Sequence, residues 1–386
     1  MERVSAELTA GVNTGTSILT VEIDEAQSFG LPLRVDNSRS PSIGTVQGQI
    51  SISEGNLLGI GDRVELGYSH TEGNDVFDVS YRIPINPANG TLSISASRTD
   101  NDVVSSTFFD IDDDGNGPDI ESESTQVEVS YRQPVLRTIR DGQFKELALG
   151  LSGSYRESQS FLFDQPFRFS LSSDEDGETK VSALRFFQDY TLQDATQVLA
   201  LRSQFSLGID ALDSTIQDDI PGVGDIPDSE FFSWRGQAQW VRRLSSDTTL
   251  LLRSNLQLAN DGLTSSEQFS LGGVGTVRGY RQDQTLTDSG FFASTEVRFP
   301  IMQVPEWQGT LQLAPFVDFG VGWNSGDRSA PDDNTLASLG LGLQWLQGDR
   351  NQLRARLDWG IPLIPIDDGS SFQEQGFHFS VEYDPF

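Results

Sequence analysis

Side chains that alternate strictly between apolar and polar leave a chain few folds to choose from. On a β-strand successive side chains point to opposite faces, and a slip of one residue exchanges those faces. The run 310–324 behaves this way: Leu311, Leu313, Val317, Phe319, Val321 and Trp323 share one face, while Gln312, Asp318, Gly320, Gly322 and Asn324 share the other. The run from Leu353 repeats the scheme, with Leu353, Ala355, Leu357, Trp359 and Ile361 opposed to Arg354, Arg356 and Asp358. Leu199, Leu201, Phe205 and Leu207 stand against Arg202 and Gln204, and Leu250, Leu252, Leu256 and Leu258 against Arg253, Asn255 and Gln257. Helical spacing fits none of these runs. One face of each suits lipid and the other suits water.

Extended along the chain, this reading predicts strands at 29–37, 43–53, 62–70, 75–84, 90–100, 122–133, 144–158, 179–190, 196–208, 231–243 and 248–259, then at 289–299, 309–324, 335–346, 351–362 and 376–386. The count is even, as bacterial transmembrane barrels require. The connections give a second argument. Segments 100–122, 158–179, 208–231, 259–289, 324–335 and 362–376 are long, whereas 54–61, 86–90, 190–196, 243–247 and 347–350 are short. A membrane barrel has short turns at one rim and longer loops at the other; a soluble β-sandwich also alternates but has no need of that pattern. The predicted class is all-β, a 16-stranded antiparallel transmembrane β-barrel over 29–386, with a long inserted loop between strands 11 and 12.

Composition permits this. Only 36% of residues are hydrophobic and no charge-free stretch reaches the roughly 18 residues of a spanning helix, but a barrel strand needs only about 10 residues with every second one facing lipid. The 37 glycines and 24 phenylalanines suit tight turns and half-buried strands. A net charge of -31 argues against nucleic acid or anionic lipid as an electrostatic partner. With no cysteine there is neither a disulfide framework nor a thiolate site. Residues 1–30 show no basic start followed by an apolar run, so the barrel reading implies that the natural amino terminus lies upstream.

Residues 1–28 do not read as barrel. Val4, Ala6 and Leu8, then Ile18, Leu19, Val21 and Ile23, predict two short strands around a turn at 11–15, a hairpin too small to be stable alone. The acid is concentrated in the long loops: residues 110–123 carry seven acids and no base, and 210–230 carry seven more. Asp110, Asp112, Asp114 and Glu121, with Gly115 at the turn, have the spacing of an EF-hand calcium loop. Strands flank them and Pro118 takes the ninth place, so the preferred reading is a solvated outward loop, bridged to anionic surface lipid by divalent cations, with no resident metal. The two histidines, His70 and His378, lie far apart. His378 falls on a polar face, where a barrel hydrolase would need it beside a serine.

Within the long segment 259–289 stand Ser270, Leu271, Gly272, Gly273, Val274, Gly275, Thr276, Val277, Arg278, Gly279 and Tyr280. Val277 to Tyr280 resembles the VRGY/F signature of the sixth external loop of the polypeptide-transporting outer-membrane barrels, and the segment joins strands 11 and 12, as in that superfamily. Phe316, Val317, Asp318, Phe319 and Gly320 resemble its F-x-D-x-G motif on strand 13. The resemblance implies that the loop folds back into the lumen and that Arg278 pairs with Asp318. Removing one partner of a pair in a partly dry lumen costs about 3 to 5 kcal/mol, less where water reaches it. The loop glycines 272, 273, 275 and 279 would let an inserted backbone turn and approach the wall; they are not a phosphate cradle, since no lysine or helix follows.

Gly15 to Val21, Leu33 to Asn37 and Asn56 to Asp62 are similar to the haemolysin secretion/activation branch, the TpsB transporters of two-partner secretion, notably cyanobacterial members. The resemblance covers essentially the whole chain. It implies an outer-membrane location and an unfolded exoprotein (TpsA-like) as substrate, without nucleotide or cofactor. It also implies that residues 1–28 end a POTRA domain, with further POTRA segments and a plug helix upstream. Phe386 is similar to the terminal phenylalanine recognised by the barrel assembly machinery, although it breaks parity with Phe377, Phe379, Val381 and Tyr383. An assembly factor of the same superfamily, a diffusion porin and a barrel enzyme are the alternatives.

Overall fold

The computed structural model describes residues 27–104, 119–218, 226–326, 328–348, 352–366, 369 and 371–386, together with the backbone of 3–10 and 17–24. Its described residues form one closed antiparallel barrel of sixteen strands. The first eight are β1 (Phe29–Gly30 and Leu33–Asp36), β2 (Gln47–Gly55), β3 (Arg63–Thr71), β4 (Asn74–Pro84), β5 (Thr91–Asp102), β6 (Ile120–Arg140), β7 (Gln143–Leu162) and β8 (Glu178–Gln193). The second eight are β9 (Gln197–Ile209), β10 (Phe232–Arg243), β11 (Thr249–Ala259), β12 (Ser289–Val304), β13 (Gly309–Trp323), β14 (Thr335–Gln347), β15 (Leu353–Pro362) and β16 (Phe377–Tyr383).

The alternation read from the sequence separates the two surfaces. Leu201, Phe205, Leu207, Val317, Phe319, Leu357 and Trp359 are exposed on the outside, whereas Asp318, Asp358 and Ser338 are buried on the inside. An outer belt of that kind is at home in hydrocarbon, and closure leaves no strand edge for water to satisfy. The ring closes through four residue pairs between β16 and β1, from Ser380 with Asp36 to Tyr383 with Leu33.

Several boundaries differ from the sequence reading, each for a physical reason. Strand β1 is broken at 31–32, where Pro32 has no N–H to give to a ladder. Strands β6 and β7 run well past 122–133 and 144–158 as a long hairpin. Its register shifts where Leu147 faces Leu136 but Ala148 faces Pro134, so Val135 is the extra residue of a bulge. Strand β12 continues beyond 299 to Val304 through a second irregularity between Pro300 and Met302. Strand β16 stops at Tyr383 rather than 386. The alternation of long and short connections fails once, because β3 and β4 are joined by a tight turn in which Thr71 pairs with Asn74.

Arg3–Ala10 and Ser17–Asp24 form a separate hairpin in register from Arg3 with Asp24 to Ala10 with Ser17.

Candidate functional site

The segment between β11 and β12 carries a short ribbon in which Phe269–Leu271 pairs with Thr285–Thr287. Phe269, Leu271, Val277 and Tyr280 of this loop are buried against Phe292 of β12 and Leu336 of β14. Burying four large side chains of the loop against the wall anchors it there, since apolar burial yields about 25 cal/mol per Å2. The tip is folded on itself: Gly272 N–H donates to Thr276 Oγ1 at 2.9 Å and Gly273 N–H to the Tyr280 carbonyl at 3.2 Å.

The ribbon delivers Arg278 to the inner faces of three strands, β12, β13 and β15. Its Nε donates to Asp318 Oδ2 at 2.8 Å and its Nη2 to Asp318 Oδ1 at 2.9 Å, the two-pronged geometry that suits a planar guanidinium. Its backbone N–H reaches Asp318 Oδ2 as well, at 3.2 Å. Nη1 meets Glu296 Oε2 of β12 at 2.6 Å and Asp358 Oδ1 of β15 at 3.4 Å. The guanidinium lies over the ring of Phe316, 3.4 Å from its centroid, so the two aromatic and acidic positions of the strand-13 motif grip one side chain. Arg278 is 2% exposed and Asp318 0%.

The surrounding charges are balanced. Arg356 donates to both oxygens of Asp358 at 2.6 and 2.7 Å and to Glu296 at 2.8 Å, and Arg298 donates to Glu296 at 2.5 Å. Three guanidinium groups thus face three carboxylates, and Ser294 adds a hydroxyl bond to Asp318 at 2.6 Å. Stripping water from charges of both signs is tolerable only in such a paired network.

Gly279 follows with φ +95°, a conformation open to glycine, and its N–H donates to His378 Nε2 of β16 at 3.2 Å. Tyr280 completes the motif: its hydroxyl lies 2.8 Å from the Ala337 carbonyl and 3.0 Å from that of Ile364, tying the loop to β14 and to the segment after β15. A Cβ on Gly320 of β13 would come within 2.6 Å of Leu271 and 2.9 Å of Val277, so a larger residue there displaces side chains of the seated loop.

The sequence motifs therefore come together in space, and the sequence reading missed Glu296, Ser294 and Arg298. Arg356 and Asp358 stood on the polar face of their run without being joined to the site. Parity would have placed Glu296 on the inner face, but no local signal names its partner. His378 is 1% exposed and is engaged by Gly279, while its Nδ1 has no hydrogen-bond partner among the described residues; the hydrolase arrangement with a serine is not formed. His70 pairs instead with Asp75 at 2.9 Å. Of the calcium-spaced residues, Asp110, Asp112 and Asp114 lie outside the described residues. Glu121 sits with Asp119 and Asp164, their carboxylates within 4.8 Å of one another, a partly exposed acidic group that by itself assigns no ion. Phe386 lies beyond the end of β16, where parity no longer applies, and packs edge-on against Phe29, with centroids 5.4 Å apart.

A closed sixteen-stranded barrel with an apolar outside and a loop held in its lumen by buried charge defines a class, the transmembrane β-barrels of the bacterial outer membrane. The family model described as "Haemolysin secretion/activation protein ShlB/FhaC/HecB" matches residues 15–345, and the chain belongs to that family. It is 24% identical over 345 residues to the outer membrane transporter CdiB of Dickeya dadantii, covering 88% of this chain and 57% of that protein. Among solved structures it resembles CdiB from Escherichia coli with a TM-score of 0.79 at 20% identity, covering 99% of this chain and 68% of the other. The fold is also similar to BamA from Haemophilus ducreyi, with a TM-score of 0.61 at 14% identity over 99% of this chain and 75% of that one. The chain thus spans a little over half the length of the curated relative.

Proposed function

We propose that this barrel exports an unfolded exoprotein across the outer membrane, as the transporter half of a two-partner secretion system. The observation that supports the reading is Arg278, held in the lumen by Asp318, Glu296 and Asp358 on a loop whose seat fills part of the interior. A diffusion pore has no use for a desolvated charge network that narrows its own lumen. A family built for secretion does, because a loop that occupies the path limits leakage while the cargo passes. Translocation is passive, without nucleotide or cofactor and without a catalytic step, and folding of the cargo outside supplies direction.

On this reading the sequence motif Val277, Arg278, Gly279 and Tyr280 seats the loop, and Phe316, Asp318 and Gly320 receive it. The hairpin of residues 1–28 ends a POTRA domain that captures the cargo, Phe386 presents the chain to the assembly machinery, and the apolar belt meets outer-membrane lipid. The test is Arg278→Ala in the full-length transporter expressed with its exoprotein, reading cargo in the medium. Export falls at least tenfold while the barrel remains in the membrane. Unchanged export overturns the loop's role, and steady ion conductance with no cargo dependence favours a diffusion pore. Insertion of other barrels, rather than release of a soluble exoprotein, would mark an assembly factor.

A further inference from the structure

Six successive strands carry arginines on the inner face, among them Arg132 of β6, Arg156 of β7, Arg185 of β8, Arg202 of β9, Arg235 of β10 and Arg253 of β11. Three of them have polar register partners on both sides: Arg202 stands opposite Asp189 and Gln237, Arg235 opposite Gln204 and Gln257, and Arg253 opposite Gln239 and Ser294. In a chain of net charge -31, a strip of this sign calls for an explanation. Part of it is structural. Arg132 pairs with Glu146 at 2.7 Å and Asp189 at 3.2 Å, Arg202 with Asp189 at 3.3 Å, and Arg185 with Glu267 of the inserted loop at 2.6 Å.

Arg156 donates to Gln126, and Arg235 to Gln257 at 2.7 Å, so Arg253 is the member that bonding within the wall does not explain. Arg132, Arg202 and Arg253 line a cavity of about 440 Å3 in which Asp189 is the one acid, and Gly275 at the loop tip forms part of its boundary. Arg253 has no ion-pair partner among the described residues. Its buried Nε makes no hydrogen bond, and its guanidinium sits 5.7 Å from the centroid of Phe292. Arg253 is part-buried and opens on this cavity, so with its Nε dry and no acid to pair with it is left to an acceptor from outside the wall, and glutamine could replace it in a barrel wall. Its fork matches carboxylate and peptide carbonyl oxygens.

We infer that this arginine strip is a binding track for an extended, acidic polypeptide segment, held by its carboxylates and backbone carbonyls beside the loop tip. This rests on the reading of the lumen as a polypeptide path and adds the chemistry of what passes. An extended chain presents a carbonyl about every 3.3 Å, so successive arginines engage it without reading its sequence, while carboxylates raise affinity and lysines are repelled. Once past the strip, an acidic segment meets external loops that are themselves acidic and is not retained there.

The experiment uses the full-length transporter in planar bilayers, with short poly-L-glutamate or poly-L-lysine added on the periplasmic side, and measures cargo export in parallel. Poly-glutamate blocks the current, poly-lysine does not, and the block is about tenfold weaker in R202Q/R253Q. The single variant R253Q breaks no ion pair, so it keeps the question answerable if the double variant is poorly assembled; it weakens the block in the same direction. Equal block by both peptides, or a block indifferent to R253Q, overturns the track while intact export leaves the transport reading standing. Absence of cargo export by the unaltered transporter overturns the transport reading instead.

Discussion

Gly279 and Gly360 meet backbone to backbone: a Cβ on Gly279 would lie 2.9 Å from the Gly360 carbonyl carbon, and one on Gly360 would lie 2.6 Å from the Gly279 nitrogen. Loop and wall approach this closely because neither residue has a side chain. Gly360→Ala is expected to lift the loop from its seat, at a cost of about 1 to 3 kcal/mol for overpacking. Limited proteolysis in outer-membrane vesicles measures this as faster cleavage within 272–284. Gly275→Ala is the control, since nothing lies within 4 Å of a Cβ there, and it should leave the cleavage rate unchanged.

The charge balance around Arg278 makes a second expectation. Arg278→Gln leaves two guanidinium groups facing three carboxylates and should destabilise the seated loop by about 3 to 5 kcal/mol. Combining it with Asp318→Asn restores equal numbers, so the double variant should be more stable than the sum of the singles by about 0.5 to 3 kcal/mol. Urea titration of the protease-resistant loop gives both numbers, and strict additivity would refute the pairing as an energetic unit.

The closing seam depends on a side chain beyond its four backbone pairs. Asn37 Oδ1 accepts the Phe379 N–H at 2.7 Å and Asn37 Nδ2 donates to the Phe377 carbonyl at 2.9 Å, continuing the ladder where β1 has ended. Asn37→Ala leaves both backbone groups without that partner and should lower barrel stability by about 1 to 3 kcal/mol. Loss of the folded band on semi-native electrophoresis at a lower temperature is the readout. Asn37→Asp retains the acceptor and should fall between the two.

The turn from β8 to β9 supplies a pH expectation. The Asp194 carboxylate accepts the Gln197 side-chain amide at 3.0 Å and the Thr196 N–H at 2.8 Å. These bonds, the Gln197 amide first, hold its pKa below the usual carboxylate range. A carboxyl depressed on folding contributes stability that is full above its unfolded value, about 3.9, and is lost only as pH falls through the folded value. Asp194→Ala should therefore lower thermal stability by the same amount at pH 7 and pH 5, with the gap to the unaltered protein closing only in strong acid.

How much of this was legible in the sequence follows from the range of the forces involved. Parity is local, so the inner and outer faces of β9, β13 and β15 could be read directly. Register is not local: that Glu296 meets Arg356 depends on how β12 to β15 are staggered around a closed ring, which no single strand encodes. The bulge at Val135 and the break at Pro32 were foreshadowed by prolines but overridden by the simple alternation. The mutual approach of Gly279 and Gly360 joins positions 81 apart in number, and only the Gly-rich loop half of it carried a signal.

The contact between Phe29 and Phe386 has a consequence for how the molecule comes into being. The ring is complete only when the first strand finds the last, so every shorter chain emerging during synthesis exposes an unpaired edge and an apolar face with nothing to cover them. Contacts this distant along the chain form slowly, and exposed edges invite association with other chains. Such a polypeptide acquires its shape in a single late event rather than growing it from one end.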